Sequence, residues 1–395
     1  MGRLSRWIIS PLDVLFFRGG EPFVAGETRW IESSFPPTPE TMFGFVRSAL
    51  LIRHCVRLDL YGARQGNKCP ECPVYAHCTV REVVGLPKEL PRSLGLIGPY
   101  LLRQDPAGCF TRLFSAPSDL VSLGDASLAI MAPGEPVESD LGKLRFTVIP
   151  AEAKSLPEHS FITEDGLTHY LDNGAVNPGQ LQGKWPDPAG RVFDIEPRVG
   201  LTVDPFARTA KTGMLYSIGP VRLMQGFALG VEVEGSRGLA PEEILRLGGA
   251  GRVASVAVDD ATPDPAKPRG KCGNRFKVVL LQPAKFGNGW LPDGFERNDT
   301  AGGRDRGDSG NGTTTWHGLI GGVEATLVSA CLGRAQRIGG WNMVAGGPKP
   351  MAPSVTAGSV YYFEAKKKAS PDLGSMLRLG RETEAGFGQA ICGRW

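Results

Sequence analysis

Apolar residues in this chain gather in short runs, and Gly and Pro punctuate the intervals between them. Runs of this length between turn residues are typical of strands rather than of helical bundles. The strand candidates are WII at 7–9, LRFTVIP at 144–150, VRLMQGFALGVEVEG at 221–235, FKVVLLQP at 276–283, EATLVSACLG at 324–333 and SVYYFEA at 359–365. The pattern predicts strands interleaved with few helices, in two halves, which is an α+β architecture.

One stretch predicts a helix with its cap. Thr38 is a favourable N-cap, Pro39 is preorganised for the first helical position, and Glu40 falls in the first turn. Apolar residues then recur at helical spacing, so a helix is predicted over 41–58. A second, short helix is predicted over 371–379.

Composition and charge bound the class of protein. The chain has 395 residues, of which 41% are hydrophobic and 22% charged, so it can bury sizeable cores. Its 44 Lys and Arg face 41 Asp and Glu, a net charge of +3, so any basic surface must be local. No apolar run approaches the roughly 18 residues of a membrane span, and the N-terminus has no apolar signal core. We therefore expect a cytoplasmic protein.

Four cysteines have the spacing of metal ligands. Cys69 and Cys72 form a Cys-x2-Cys pair, Cys78 follows five residues later, and Cys55 on the predicted helix supplies the fourth thiol. His77 is an alternative fourth ligand. The pattern predicts a structural zinc; an iron–sulfur cluster and a set of unligated thiols are the alternatives.

The segment RVGLTVDPFARTAKTGMLY at 198–216 predicts a hairpin with a polar tip. Basic side chains there can neutralise phosphate, threonine hydroxyls can donate to its oxygens, and Phe206 and Tyr216 can stack on bases. An ordinary solvated hairpin tip would have a similar composition. The candidate RNA ligands of this segment are Arg198, Arg208, Thr209, Lys211 and Thr212.

Four segments resemble, in the same order, those of the third-subunit family of Cmr complexes, the type III-B CRISPR effectors of the RAMP superfamily. They are SPLDVLFFRGGEPFVAGE at 10–27, the 198–216 segment, IGGWNMVAGGPKP at 338–350 with AGSVYYF at 357–363, and EAGFGQAICG at 384–393. The resemblance spans nearly the whole chain.

The resemblance implies two ferredoxin-like (RRM-like) RAMP domains with loop insertions. The first covers 1–215, with a Cys-rich metal-binding insertion at about 55–80 and a thumb-like hairpin at about 198–216. The second covers 216–395, with a loop at about 293–314 and the glycine-rich loop at 384–393. We expect the 293–314 loop to be mobile, because it is nearly free of large apolar side chains.

The implied function is RNA binding within an antiviral effector complex. The subunit would bind the 5′ tag of the CRISPR RNA and cap the backbone filament of RAMP subunits, next to the large polymerase-type subunit. The thumb-like hairpin would push between guide and target RNA.

The C-terminal loop is a further candidate RNA site in this interpretation. Glycine lets backbone approach a phosphate and donate N–H groups, while Phe387 is available to stack. The alternative is a tight turn before a last strand. The candidate residues are Gly386, Phe387, Gly388 and Gln389, with Arg378 and Arg381 upstream.

Three other arginines can bind RNA or have ordinary surface roles. Arg18 can hold a phosphate or make an ion pair with a nearby glutamate. Arg47 and Arg53 can form a basic helix face toward RNA or a solvated face.

The histidines give little support for catalysis. Metal-free RNA cleavage needs a general acid and a general base, and none of the five histidines lies in the segments quoted above. His169 is the best nuclease candidate. We predict that the chain is not an enzyme; the alternative is a metal-independent RAMP endoribonuclease that processes CRISPR RNA.

Overall fold

The computed structural model describes residues 4–19, 30–61, 68–86, 93–124, 127–140, 142–183, 190–236, 238–259, 273–298, 314–342, 347–366 and 376–395. Within these ranges the chain is a mixed α/β protein with many strands and few helices, as the sequence predicts. That it forms two ferredoxin-like domains stays a prediction. No helix in these ranges is long and apolar enough to cross a membrane.

The helices in the described residues are α1 (Pro39–His54), α2 (Leu58–Tyr61), α3 (Thr79–Val84) and α4 (Glu164–Leu171). The predicted cap of α1 is confirmed, because the Thr38 hydroxyl accepts from the Thr41 amide and a proline begins the helix. The helix ends at His54 instead of residue 58. Cys55 is therefore its C-cap and does not lie on the helix as predicted, because its backbone is already extended (φ −82, ψ 118).

The strands up to residue 259 include eight that form one antiparallel sheet, here called the first sheet. Its order is β11–β10–β4–β3–β16–β1–β18–β17, so β16 lies between β3 and β1. In chain order the strands are β1 (Ser5–Pro11), β2 (Trp30–Glu32), β3 (Gly95–Gln104), β4 (Phe110–Ser115), β5 (Leu120–Ser122), β6 (Leu128–Ile130), β7 (Ala132–Ser139), β8 (Gly142–Val148), β9 (Lys154–Ser155), β10 (Phe161–Thr163), β11 (Leu181–Gln182), β12 (Phe193–Ile195), β13 (Arg198–Val203), β14 (Ala210–Gly219), β15 (Val221–Leu223), β16 (Phe227–Glu234), β17 (Ile244–Arg246) and β18 (Val253–Asp259).

Seven of the later strands form the second sheet, also antiparallel, in the order β20–β21–β22–β27–β19–β29–β28. The strands after residue 259 are β19 (Arg275–Leu280), β20 (Glu296–Asn298), β21 (Thr315–Ile320), β22 (Val323–Cys331), β23 (Gln336–Ile338), β24 (Trp341–Asn342), β25 (Gly347–Pro348), β26 (Ala352–Ser354), β27 (Val360–Ala365), β28 (Leu377–Arg378) and β29 (Gln389–Arg394).

Two predictions in the second half need correction. Leu377 and Arg378 of the predicted 371–379 helix form the edge strand β28, because the chain folds back and pairs them with Ala390 and Gln389. Residues 371–375 lie outside the described residues. In the predicted mobile loop, Glu296–Asn298 is a strand paired with β21, and 299–313 lies outside the described residues.

The two sheets share a core around α4. Tyr100 and Leu102 from the first sheet, Leu167 from α4, and Val279 and Tyr362 from the second sheet belong to one buried cluster. The sheets divide the chain between residues 259 and 275, well beyond the predicted domain boundary at 215/216. That boundary, as a statement about domains, stays a prediction.

A buried polar centre lies in this shared core. The hydroxyls of Tyr170 and Tyr362 donate to the Asp119 carboxylate at 2.7 and 2.5 Å. The Lys277 ammonium lies 3.4 Å from the centroid of the Tyr170 ring. Burial raises the pKa of Asp119, outweighing the lowering influence of Lys277 and the tyrosine hydrogen bonds. These contacts join α4 to two strands of the second sheet.

Candidate nucleic-acid interface

The predicted hairpin forms from β13 and β14, with a tip held by its own backbone. The Asp204 carboxylate accepts from the amides of Phe206 and Ala207 at 2.8 and 2.9 Å, and these hydrogen bonds lower the pKa of Asp204. Arg208 has a left-handed backbone (φ 53), and its amide donates to the Asp204 carbonyl. The turn is therefore held by hydrogen bonds among its own residues.

The hairpin presents apolar and basic side chains to solvent. Phe206 at the tip is 96% exposed, the highest value for a large hydrophobic residue in the described chain. Arg208, Thr209 and Lys211 of the predicted site are exposed beside it. The side chain of Thr212 lies outside the described residues. The exposed apolar residues along the two strands are Val199, Leu201, Val203 and Leu215.

A charge network fastens the base of the hairpin to the rest of the chain. Asp13 accepts from Arg198, Arg222 and Arg252, with shortest distances of 3.3, 2.9 and 2.9 Å, and Glu196 pairs with Arg198 and Arg222 at 2.6 Å. Slight burial favours a higher pKa for Asp13, but hydrogen bonds from the Val14 amide and from the arginines lower it overall. Arg198, predicted to bind RNA, is engaged in this network.

The glycine-rich loop is buried between the sheets. The Gln389 amide nitrogen donates to the Leu96 carbonyl at 2.6 Å, and its carbonyl oxygen accepts from the Gly98 amide at 2.9 Å. Gly386 and Gly388 have φ of +100 and +63, where other residues are strained. A Cβ on Gly388 would lie 1.7 Å from the Leu379 carbonyl oxygen. In this chain the loop serves as a tight turn that joins β28 and β29 to β3.

This geometry corrects part of the predicted RNA site. Phe387 is 0% exposed and lies under the Lys285 ammonium, so the prediction that it is available to stack on a base is wrong. The Gly386 and Gly388 amides already donate to the carbonyls of Thr383 and Pro283, which uses the predicted phosphate donors. The interpretation of this loop as a tight turn before a last strand explains these contacts.

The upstream arginines lie at the surface. Arg378 donates to Glu234 of the first sheet at 2.7 Å, so it links the two sheets. The side chain of Arg381 is exposed, while its amide donates to the Lys285 carbonyl. Any contact of these two residues with RNA stays a prediction.

The two predicted helix arginines make contacts within the chain, and Arg18 lies near the hairpin. Arg47 donates to the Tyr61 hydroxyl and the Leu86 carbonyl at 3.0 and 3.1 Å, so it faces the Cys-rich segment. Arg53 is exposed and donates to the Pro241 carbonyl. The side chain of Arg18 is exposed, and its backbone forms an isolated antiparallel β-bridge with Ser33. Ser33 follows β2, the strand that pairs with β14.

Sequence reasoning missed a cleft of about 580 Å³ between the two sheets. The first half of the chain contributes Ser115, Ser118 and His159, and the second half contributes Arg334 and Gln336. These residues lie at strand ends and in loops that are far apart in sequence, and no local motif marks them. Hydroxyl, amide and guanidinium groups of this kind can bind phosphate and sugar oxygens.

An aromatic row borders this cleft. The His159 ring meets the edge of Phe193 at 5.1 Å between centroids, Phe193 lies 4.6 Å from Phe35, and Phe35 lies 6.4 Å from Phe17. His159 also has a left-handed backbone (φ 62), which is unusual for a residue other than glycine. The row places an imidazole at the edge of a cleft lined by polar groups.

Comparison with known families identifies the chain. The sequence model of the family described as CRISPR-associated protein (Cas_Cmr3) matches residues 7–395. The chain belongs to the Cas_Cmr3 family. This confirms the resemblance to the third-subunit family of Cmr complexes. No protein of curated function is significantly similar to this chain.

Solved structures contain chains similar to this family member. One is in the cryo-EM structure of type III-B Cmr-beta bound to cognate target RNA and AMPPnP, at 15% identity and TM-score 0.47, with 90% of this chain and 86% of that chain covered. Another is in type III-B Cmr-beta bound to cognate target RNA, at 16% identity and TM-score 0.46, covering 90% and 86%. A third is in the crystal structure of a Csm1–Csm4 cassette with AMPPNP, at 11% identity and TM-score 0.31, covering 99% and 95%.

In this family member, Cys55 of the predicted metal site is the C-cap of α1, and Cys69, Cys72 and Cys78 lie on the segment between α2 and α3. Burial raises the pKa of the Cys55 thiol, and the charges of Cys78 and Cys72 raise it further. Burial also raises the pKa of Cys69, with contributions from Cys55, Cys78 and Cys72. Among the described residues, no group of three or more His, Cys, Asp or Glu side chains is arranged as a metal site. Zinc therefore stays a prediction.

His169, the nuclease candidate, lies on α4 and contacts residues of its own region. Its Nδ1 is 2.9 Å from the Gln180 amide nitrogen and 3.5 Å from the Asp165 carboxylate. Asp165 lies one helical turn before it, an ordinary helix-surface pair. That this family member is not an enzyme stays a prediction.

Proposed function

We propose that this Cas_Cmr3 chain is a non-catalytic RNA-binding subunit of a type III-B CRISPR effector complex. It binds the 5′ tag of the CRISPR RNA and caps the backbone filament of RAMP subunits beside the large polymerase-type subunit. Its partners are CRISPR RNA, target RNA and those protein subunits. The β13–β14 hairpin acts as a thumb that shapes the guide–target duplex.

The observation that carries this proposal is the hairpin tip. Phe206 is 96% exposed on a turn held by its own hydrogen bonds, so it contributes little to the fold of this chain. With the exposed apolar residues of β13 and β14 it forms an apolar surface that a partner can cover. Arg208 and Lys211 beside it bring positive charge to the same point. An apolar wedge with flanking cations suits insertion beside stacked bases and neutralisation of their phosphates.

The cleft between the sheets is the proposed site for nucleotides of the tag. Its volume of about 580 Å³ falls within the roughly 300–1,000 Å³ of ligand sites in proteins. Single-stranded RNA bases can be splayed apart and held by aromatic and polar side chains. In this proposal His159 and Arg334, which line the cleft from opposite halves of the chain, contact such a base and its phosphate.

The experiment is photo-crosslinking in the complex reconstituted with CRISPR RNA. Photoreactive nucleotides in the 5′ tag should crosslink to this chain, at the cleft residues or at the hairpin. Crosslinks of this chain confined to the 3′ end of the RNA would contradict the placement. RNA cleavage by this chain alone, abolished in His169→Ala, would favour the endoribonuclease instead.

A charge variant tests whether the hairpin tip binds phosphate. Arg208→Ala with Lys211→Ala should weaken RNA association and reduce the slope of log K against log salt by about 0.7 for each single-strand phosphate that the variant no longer neutralises. Lys143→Ala with Arg145→Ala removes the same charge from the β7–β8 hairpin and should leave the slope unchanged. Equal slopes in both variants would indicate a merely solvated tip.

A further inference from the structure

The Cys-rich segment carries three cysteines on three successive turns. The amide of Cys72 donates to the Cys69 carbonyl at 2.9 Å, that of Tyr75 to the Cys72 carbonyl at 3.0 Å, and that of Cys78 to the Tyr75 carbonyl at 3.5 Å. Each cysteine therefore begins or ends a tight turn with a fixed backbone. Cys55 and Cys78 also pack against the same hydrophobic core.

Cys55 is the C-cap of α1, and Cys69, Cys72 and Cys78 lie at the turns of the segment that follows. We propose that Cys55, Cys69, Cys72 and Cys78 bind one zinc ion that fastens the Cys-rich segment to the C-terminal end of α1. Four thiolates fill the tetrahedral coordination of zinc, so the site is closed and structural rather than catalytic.

Zinc would bring the four sulfurs together, while the backbone turns that carry three of the cysteines are already hydrogen-bonded. Zinc–sulfur bonds are about 2.3 Å long, so the four sulfurs must converge on one point. Neutral thiols have no reason to converge, and thiolates repel one another without a cation. Rotation about the Cα–Cβ bonds moves the sulfurs while the hydrogen-bonded turns stay in place. Zinc supplies the charge that makes the converged arrangement favourable.

The segment needs such a fastening because it buries little apolar surface. In the short elements α2, Cys69–Glu71 and Tyr75–His77, the buried residue is Leu60, while Val56, Leu58 and Val74 are exposed. Helix α3, which follows, packs its valines into the core. A small loop region without its own core is commonly held by a metal or by disulfides.

Metal analysis of the purified full-length chain tests the proposal. We expect about one zinc per chain, absent in Cys69→Ser with Cys72→Ser, which should also have a lower melting temperature. Cys109→Ser is the matched control, because Cys109 is an exposed thiol outside the cluster. His77→Ala tests the alternative fourth ligand and should keep the zinc, whereas Cys55→Ser should weaken its retention.

Thiol alkylation of the wild-type chain gives a second readout that does not depend on a variant folding. The four cysteines should resist alkylation until a chelator is added, while Cys109 should react throughout. Less than about half an equivalent of zinc in the wild type, an iron content with visible absorbance, or alkylation of the four thiols without chelator would overturn the proposal.

Discussion

At the residue scale, Phe206 at the hairpin tip gives the most direct test of the proposed RNA contact. Phe206→Ala should change the free energy of unfolding by less than about 0.5 kcal/mol, because the ring is almost fully exposed. If the ring stacks on a base or wedges beside one, the same change should weaken RNA binding by the reconstituted complex by about 1–3 kcal/mol. Thermal unfolding and an RNA-binding titration give the two values.

The control for this prediction is another exposed phenylalanine. Phe146 on the β7–β8 hairpin is 53% exposed, and Phe146→Ala should leave both the unfolding and the RNA affinity near wild type. A Phe206→Ala complex with unchanged RNA affinity would remove the thumb from the proposed function.

Gly388 has a structural role that a single added methyl group should reveal. Gly388→Ala should destabilise the chain by at least about 2 kcal/mol, because a strained left-handed backbone is combined with a clash. The added Cβ would lie 1.7 Å from the Leu379 carbonyl oxygen. Chemical denaturation of the purified variant measures the decrease in stability.

The matched control is a glycine with the same backbone but open surroundings. Gly238 has φ of +76, and a Cβ there would meet nothing within 4 Å. Gly238→Ala should cost only the backbone strain, about 1 kcal/mol. Equal destabilisation at the two positions would show that the close approach at Gly388 is not decisive.

Residue-scale prediction from the sequence succeeded at Thr38 and failed at Phe387 for a physical reason. An N-cap acts within one turn of helix, so residues 38–41 contain the information. The burial of Phe387 depends on β3, nearly three hundred positions earlier in the chain, which the local glycine pattern does not include. The tight turn was the alternative to the predicted RNA site, and the glycine pattern does not show on which side of the molecule such a turn lies.

At the scale of elements, we expect the β13–β14 hairpin to be stabilised by the charge network of Asp13 and Glu196 at its base. Asp13→Asn should loosen β13 and β14, because it removes the charge that Arg198, Arg222 and Arg252 share. We expect faster amide hydrogen exchange in β13 and β14 and little change in the first sheet. Asp59→Asn, which breaks an exposed pair with Arg57 elsewhere, is the control and should leave the hairpin unchanged.

The pH dependence of this base follows from the lowered pKa values of Asp13 and Glu196. A carboxylate with a lowered pKa in the folded chain stabilises it above the ordinary pKa of about 4. That contribution disappears as the pH falls through the lowered value. Exchange in the hairpin should therefore rise in acid in the wild type and be less sensitive to acid in Asp13→Asn. Equal exchange in both proteins at neutral pH would contradict the role of Asp13.

Whether the sequence predicted a helix depended on the length of that helix. The 16 residues of α1 carried a cap and an apolar stripe, whereas the 8 residues of α4 gave too few turns for a period to appear. The cap of α4 is nevertheless similar, because the Thr163 hydroxyl accepts from the Gly166 amide and acidic residues follow. Short helices of this kind are stabilised by the sheets on which they pack.

At the scale of the whole molecule, the order of strands in space departs from their order in the chain. β16 lies between β3 and β1, so the first sheet is complete only after residues beyond 215 have joined it. A linear sequence indicates strand positions but not their partners, which explains why the predicted boundary at 215/216 does not match the division of the sheets. The shared core around Tyr170 and Tyr362 then ties the two sheets together.

Splitting the chain tests this architecture. Fragments 1–265 and 266–395, expressed together, should associate and copurify, because the cut leaves both sheets whole and the shared core can form between the fragments. Fragments 1–215 and 216–395 should instead yield insoluble or separate products. That cut removes β16, β17 and β18 from the first sheet and leaves the edges of β1 and β3 unpaired, and exposed edges promote aggregation.

Copurification followed by thermal unfolding distinguishes the two pairs of fragments. If the 215/216 pair assembles as well as the other, the first sheet does not depend on β16 as its register implies, and the predicted domain boundary would be the better description of the chain.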